Sequence, residues 1–237
     1  EIPANGYYSA AKNFARPVLG PGSDDQIKQA LDLISKAKKP VLYVGQGTLG
    51  AADEVMAFAK KFQMPVITTA LGKQIIPYDF ESLLGSAARV ASKPANEALQ
   101  ETDLMLFVGS NYPFAEAMFK PDVKFIQIDS NPQVLGKRHQ TDVAILADAK
   151  KALQRFIELG QDAAPSDWYA ANVDNVTNWH QYNDHMMNRT TGDLRFEPAF
   201  KEINRISDDD AISSVAVGDV TQHAVRLLKV NGRQPWS

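Results

Sequence analysis

The sequence contains no cysteine among its 237 residues. Disulfide bonds, thiolate nucleophiles and cysteine-based zinc sites are therefore excluded. No apolar run approaches the roughly 18 residues that a membrane-spanning helix needs, and no cluster of basic residues is long enough to indicate a nucleic-acid surface. The net charge is −3, with 44% hydrophobic and 22% charged residues. This composition predicts an ordinary soluble globular protein.

The chain starts with Glu1, and residues 1–22 contain three prolines and three glycines. Such a stretch predicts an extended linker between domains and is not a signal peptide. We expect the chain to be an internal piece of a larger protein. The predicted divisions are an interdomain linker at 1–22, a central domain at 23–160, a helical linker at 161–195 and the start of a further domain at 196–237.

Short apolar runs alternate with helical patterns through the central domain. The runs are apolar on both faces, as the strands of a parallel sheet covered by helices must be. The pattern predicts an α/β fold with a doubly wound, Rossmann-like parallel sheet. Strands are expected at 40–45, 65–70, 103–110, 124–129 and 143–148, with a further short one near 82–87, and helices at 51–62, 94–101, 113–119 and 148–160.

The C-terminal part adds a smaller α/β pattern. A long helical stretch begins near Trp168, and another helix carries Pro198 early, where proline is tolerated. Residues 211–219 ("AISSVAVGD") predict a buried strand, and a helix is expected over 220–230. We interpret this strand and helix as a partial second α/β unit.

Residues 45–50 ("GQGTLG") match the pattern G-x-G-x-x-G between a strand and a helix. Gly45, Gly47 and Gly50 could bring the backbone close to a pyrophosphate at a helix N-terminus, or they could only form a tight turn. The NAD version of the motif also needs an acidic residue at the end of the next strand. That strand ends with Thr69 and Ala70, so the usual NAD pattern is incomplete.

Acidic and polar residues follow other strands instead. Asp129 and Asp148 each end a predicted strand, at the edge where open α/β sheets bind ligands. Asp129 could hold ribose hydroxyls, whereas Asp148 could face an adenine or simply cap the helix that follows. Arg89 could neutralise a pyrophosphate or be an ordinary surface arginine. Together these positions favour a long ligand, such as a dinucleotide, lying across the sheet edge.

Three segments resemble the central domain of the pyruvate oxidase family. They are "GSAARVASKPANEAL" at 85–99, "LFVGSNYPFAEAM" at 106–118 and "FIQIDSNPQVLGKRHQTDVAILADA" at 125–149. The resemblance extends over nearly the whole chain. It implies a three-domain subunit in which this domain binds FAD, while the outer domains hold thiamine diphosphate and Mg²⁺. The reaction implied is oxidative decarboxylation of pyruvate with phosphate and O₂ to acetyl phosphate, CO₂ and H₂O₂.

The resemblance also implies which residues contact the cofactors. The turn at Asp129, Ser130, Asn131 and Pro132 departs from the family pattern, as does the stretch 183–194. No catalytic or metal-binding residue is expected in this chain. The residues expected to bind FAD are Gly45, Gln46, Gly47, Thr69, Ala70, Leu71, Gly85, Ser86, Arg89, Gly109, Ser110, Asn111, Tyr112, Pro113, Asp129, Ser130, Val134, Asp148 and Ala149, and those expected at the diphosphate of thiamine diphosphate are Val217, Gly218, Asp219 and Val220.

Other functions remain open on the residues alone. A sister thiamine-diphosphate enzyme, such as acetolactate synthase or the quinone-linked pyruvate dehydrogenase, would share this domain. A stand-alone nucleotide-binding module, as in electron-transfer flavoproteins, is a third hypothesis, and the extra unit at 211–230 argues against it. The intact enzyme is expected to be a cytoplasmic homotetramer, and this chain alone is expected to be inactive.

Overall fold

The computed structural model describes residues 18–87, 92–111, 119–193 and 195–237. Its centre is a six-stranded, all-parallel sheet with the strand order β3-β2-β1-β4-β5-β6. The strands are β1 Pro40–Val44, β2 Val66–Thr68, β3 Leu83–Ser86, β4 Leu104–Val108, β5 Lys124–Asp129 and β6 Val143–Leu146. The helices are α1 Asp24–Lys36, α2 Ala52–Lys61, α3 Lys93–Glu101, α4 Ala149–Leu159, α5 Asp167–Met187, α6 Phe196–Ile206 and α7 Asp219–Leu227.

Helices cover both faces of the sheet, so the two central strands are buried along their whole length. In β1, Leu42 and Val44 face the apolar layer formed with α1, α2 and α4. Val41 and Tyr43 face the opposite layer, which includes α3 and part of α5. Successive side chains of a strand point to opposite faces, so these two central strands must be apolar at every position. The doubly wound α/β fold predicted from the sequence is confirmed.

The helices begin where the sequence supplies capping side chains. Ser23 accepts a hydrogen bond from the backbone N–H of Gln26 at the start of α1. Ser92, Asp148 and Ser166 cap α3, α4 and α5 in the same way. Each side-chain oxygen satisfies a backbone donor that has no partner within its helix. The cap positions therefore fix where each helix leaves the sheet edge.

The strands predicted in the central domain are confirmed, including the short one near 82–87, and α4 matches the helix expected at 148–160. The helix predicted at 113–119 falls almost wholly on residues outside the described ranges. The strand predicted at 211–219 is wrong. Only Ser213 pairs there, with Trp236, and both Ile212 and Val217 are exposed. An apolar alternating run forms a strand only where neighbouring strands pair along it, and none of the described strands does so.

The C-terminal residues pack on the turn that follows β2. The side chain of Gln74 exchanges two hydrogen bonds with the backbone of Trp236, at 3.1 and 2.9 Å. The backbone N–H of Tyr78 donates to the carbonyl of Val230 at 2.8 Å. Trp236 and Val230 belong to a small apolar cluster with Met187, Phe200 and residues of α7. This cluster holds α7 beside the carboxyl ends of β2 and β3. Among the described helices, none has the length and apolarity needed to cross a bilayer.

Candidate functional site

The strand order reverses between β1 and β4, and this places a crevice at their carboxyl ends, where ligands bind in open α/β sheets. The loops that leave the two strands are hydrogen-bonded to each other. The N–H of Gly45 donates to the carbonyl of Val108 at 2.9 Å, and the N–H of Gly47 donates to the carbonyl of Gly109 at 2.8 Å. Gln46 and Gly47 are exposed at this position. The structure thus brings together the predicted residues of 45–47 and 109–111.

The glycines of the G-x-G-x-x-G pattern have a structural explanation within the protein. A Cβ atom added to Gly47 would lie 2.6 Å from the Cα of Gly109, and one added to Gly45 would lie 2.7 Å from the Gly109 carbonyl oxygen. Both contacts are with backbone, which cannot rotate away. Gly50 has a φ of +81° with open space around it, so its backbone conformation favours glycine. The tight-turn interpretation therefore accounts for all three glycines without a ligand.

The first turn of α2 differs from a simple phosphate site. Ala51 at its N-cap contributes no side-chain hydrogen bond, but Asp53 and Glu54 lie in the first turn. Glu54 accepts a hydrogen bond from Gln154 at 2.8 Å and lies 3.4 Å from the ammonium group of Lys150. Carboxylates already interact favourably with the positive end of the helix dipole. The attraction of this helix end for a diphosphate is reduced accordingly.

The ends of β2 and β3 lie side by side at one side of the sheet. Thr69 caps a 3₁₀ turn over Ala70–Gly72, its hydroxyl accepting from the N–H of Gly72 at 3.0 Å. Leu71 in this turn is exposed, while Ala70 packs against the C-terminal cluster. At the end of β3, Gly85 has a φ of +93°, and the hydroxyl of Ser86 lies 3.2 Å from that of Thr68. These residues, from two of the predicted groups, are neighbours in space.

Asp129 ends β5 and is 8% exposed. Its Oδ1 accepts a hydrogen bond from the N–H of Asn131 at 2.8 Å. Burial raises the pKa of this carboxyl, and the backbone N–H groups of Asn131 and Ser130 partly offset the rise. Ser130 is exposed beside it, whereas Val134 is buried and its carbonyl accepts from Gln127. The group is a carboxylate acceptor at the carboxyl end of a strand.

The capping alternative for Asp148 is borne out. Its Oδ1 accepts a hydrogen bond from the N–H of Lys151 at 3.0 Å at the start of α4. Ala149 is buried beside it. Across the edge, Ser110 is half-buried and Asn111 is exposed, with its Oδ1 3.4 Å from the Nε of Arg138. This contact joins the loops that follow β4 and β5.

The predicted residues near α7 lie on the surface of the described chain. Val217 is fully exposed, and Gly218 has a φ of +140° at the N-cap of α7. Asp219 opens the helix, and Val220 is partly buried against the C-terminal cluster. Three further predicted residues, Arg89, Tyr112 and Pro113, lie outside the described ranges.

Lys73 is a buried residue at this edge that the sequence did not reveal. It follows the 3₁₀ turn after β2 and is 8% exposed, with its Nζ 2.9 Å from the carbonyl oxygen of Val225 in α7. Burial lowers its pKa to about 7. The stretch "ALGKQII" could have drawn attention to it, because a lysine stands there between a strand end and two isoleucines. Within the described residues no group of His, Asp or Glu could hold a metal ion.

Comparison with known proteins gives a consistent result. Residues 27–156 match the family described as "Thiamine pyrophosphate enzyme, central domain". The chain is 38% identical, over 97% of its length, to the pyruvate oxidase of Lactiplantibacillus plantarum. It is 31% identical over 93% of its length to the acetolactate synthase large subunit of Corynebacterium glutamicum, and 32% identical over 85% to that of Lactococcus lactis. It spans 38%, 36% and 35% of the length of these relatives.

Proposed function

This chain belongs to the thiamine pyrophosphate enzyme family, of which it carries the central domain, and we propose that it is the FAD-binding part of a pyruvate oxidase. The observation that carries this proposal is the 38% identity to a pyruvate oxidase across 97% of the chain. The identities to the two acetolactate synthases are lower. The whole enzyme would convert pyruvate, phosphate and O₂ to acetyl phosphate, CO₂ and H₂O₂. We further propose that it is a cytoplasmic homotetramer and that this chain alone is inactive.

The residues of the sheet edge fit a dinucleotide in their chemistry. Asp129 offers a carboxylate acceptor for the ribose hydroxyls at the end of β5. Ser110 and Asn111 supply polar groups beside the crevice. The exposed residues Gln46 and Gly47 follow β1, on the other side of the loop after β4, and their loop is held by hydrogen bonds to the end of β4. These groups favour an FAD orientation in which the adenosine lies near β5 and β6 and the flavin lies toward β2.

The chain's own residues would bind and orient the cofactors. Bound FAD would supply a two-electron acceptor, and thiamine diphosphate held through Mg²⁺ would supply the stabilisation of a carbanion derived from pyruvate. Thr69, Ala70 and Leu71 would line the path toward the flavin, with Gly85, Ser86 and Arg89 near the diphosphate. Tyr112 and Pro113 would flank the ribityl chain, and Ala149 the adenine. Val217 and Gly218 would face thiamine diphosphate.

The first experiment is a titration of the purified 237-residue chain with FAD, with NAD as the control. We expect saturable quenching of flavin fluorescence with FAD, and an excess of NAD should not displace the bound flavin. Asp129→Asn should weaken FAD binding by about tenfold, since a hydrogen bond to a charged group contributes about 1.5 kcal/mol. The matched control is Asp142→Asn, on the opposite edge of the sheet before β6, which should leave the affinity unchanged.

A second assay separates the candidate reactions. The full-length enzyme should form acetyl phosphate and H₂O₂ from pyruvate, phosphate and O₂. Formation of acetolactate without peroxide would reassign it to the acetolactate synthases. Equal binding of NAD and FAD by this chain would contradict the flavin assignment itself.

A further inference from the structure

A small cavity lies behind the sheet edge, between the ends of β2 and β3 and the helices α5 and α7. Its volume is about 30 Å³. The described residues that line it include no Asp or Glu. Polar residues of the lining include Lys73, Tyr78, Ser86, His180 and Arg226. The cavity is therefore surrounded by hydrogen-bond donors and positive charge.

The ammonium group of Lys73 has more N–H donors than described acceptors at this cavity. An ammonium group carries three N–H donors, and the described acceptor for Lys73 is one carbonyl, that of Val225 at 2.9 Å. Its lowered pKa has burial as its cause, and no carboxylate among the described residues offsets it. A buried cation without a counterion is costly, because water and a paired anion are both missing. An anion in the cavity would remove that cost.

Tyr78 presents a second donor. Its buried hydroxyl makes no hydrogen bond of good geometry with a described residue, although the side chain of Asn183 is near enough to interact with it as a hydrogen-bond partner and so lowers its pKa. Burial raises that pKa to about 12, so the hydroxyl keeps its proton and can donate. The Nζ of Lys73 lies 5.8 Å from the centre of the Tyr78 ring. The ring also stacks on His180, with centroids 4.3 Å apart.

We propose that this cavity binds a small monovalent inorganic anion, of the size of chloride, between the ammonium group of Lys73 and the hydroxyl of Tyr78. The volume exceeds the roughly 10–15 Å³ that a cavity needs in order to hold one water molecule, so it is large enough for a monatomic ion. A buried hydroxyl without a well-placed acceptor and an ammonium without a counterion both gain a partner from the same ligand. Gly85 and Ser86, which the proposed function places near the FAD diphosphate, also line the cavity, so the test is made without FAD or thiamine diphosphate.

Anion binding at this site depends on the charge of Lys73. Below pH 7 the ammonium form is present and attracts the anion, whereas at pH 9 the neutral amine does not. Burial lowers the pKa of His180, which disfavours a positive charge on its ring. The other charged groups that face Lys73, Tyr78 and His180 are Arg226 in the lining, Lys229 with its Asp184 partner at 3.1 Å, and Asp79.

The test is thermal unfolding of the 237-residue chain at pH 6.5, with sodium gluconate replaced by sodium chloride at constant ionic strength. We expect the Tm to rise by about 4 °C at 0.3 M chloride, the shift that a ligand present at about ten times its Kd would give a chain of this size. Lys73→Met should abolish the rise, and Tyr78→Phe should reduce it. Lys60→Met is the matched control, because Lys60 also lies over an aromatic ring but is exposed. That variant should keep the full rise.

The proposal is overturned if chloride and gluconate give the same Tm, or if Lys73→Met shows the wild-type rise. Should Lys73→Met fail to fold, the comparison of pH 6.5 with pH 9 in the unmodified chain decides, since the rise must disappear at pH 9. A larger rise with phosphate than with chloride would contradict a monatomic ligand. A bromide soak of crystals should place an anomalous peak between Lys73 and Tyr78, and a peak only at surface lysines would contradict the site.

Discussion

Replacing Gly47 with alanine tests whether the glycine motif serves the fold or a ligand. The new Cβ would lie 2.6 Å from the Cα of Gly109 and 3.0 Å from its carbonyl oxygen, whereas carbon atoms in contact are normally 3.5–4.0 Å apart. The loops cannot separate freely, because the N–H of Gly47 is bonded to Gly109 and the N–H of Gly109 to Ile128. Overpacking of this kind costs about 1–3 kcal/mol. With backbone on both sides, we expect about 3 kcal/mol.

The assay is urea unfolding of the chain without any cofactor, followed by circular dichroism. Gly20→Ala is the first control, because its Cβ meets nothing within 4 Å and its effect should be within about 0.5 kcal/mol. Gly50→Ala is the second, since it adds only left-handed backbone strain, which costs about 1–2 kcal/mol. If Gly47→Ala is as stable as Gly20→Ala but binds FAD more weakly, the glycine serves the ligand and the steric argument is refuted.

Three further predictions concern stability. The pKa of Lys73 falls from 10.5 to about 7 on folding. The unfolded chain therefore binds more protons between these pH values, and the unfolding free energy rises with pH there. In chloride-free urea titrations, the unfolding free energy of the wild type should increase by about 2 kcal/mol relative to that of Lys73→Met between pH 7 and pH 9. A constant difference would contradict the buried amine. Asp148→Ala should lose about 1 kcal/mol of unfolding free energy, and Asp148→Asn should keep most of it, because either Asn or Asp caps a helix well; equal losses in both would mean that the charge matters more than the cap. The pKa of Asp129 is raised by burial. The unfolding free energy of the wild type should therefore fall relative to that of Asp129→Asn as the pH rises from about 4 through the raised pKa. Parallel pH profiles of the two proteins would contradict a raised pKa at Asp129.

The sheet was predictable because its central strands are buried on both faces and so are apolar at every position. The runs 40–44 and 104–108 carry this information locally, and serine or aspartate caps mark where the next helix begins. The strand predicted at 211–219 failed for a related reason. Its alternating apolar residues are compatible with a strand, but pairing depends on other strands, and only Trp236 pairs there in the described chain.

The sequence by itself determined the α/β class, the ends of the strands and the presence of Asp129 and Asp148 at one edge, because these follow from short periodic patterns. Tertiary structure alone decided what the glycines do, since the 2.6 Å approach of Gly47 to Gly109 joins residues 62 positions apart. It likewise decided that Lys73 is buried under α7, against a carbonyl of Val225. Burial and close packing depend on residues that are distant in the chain, and no local pattern contains them.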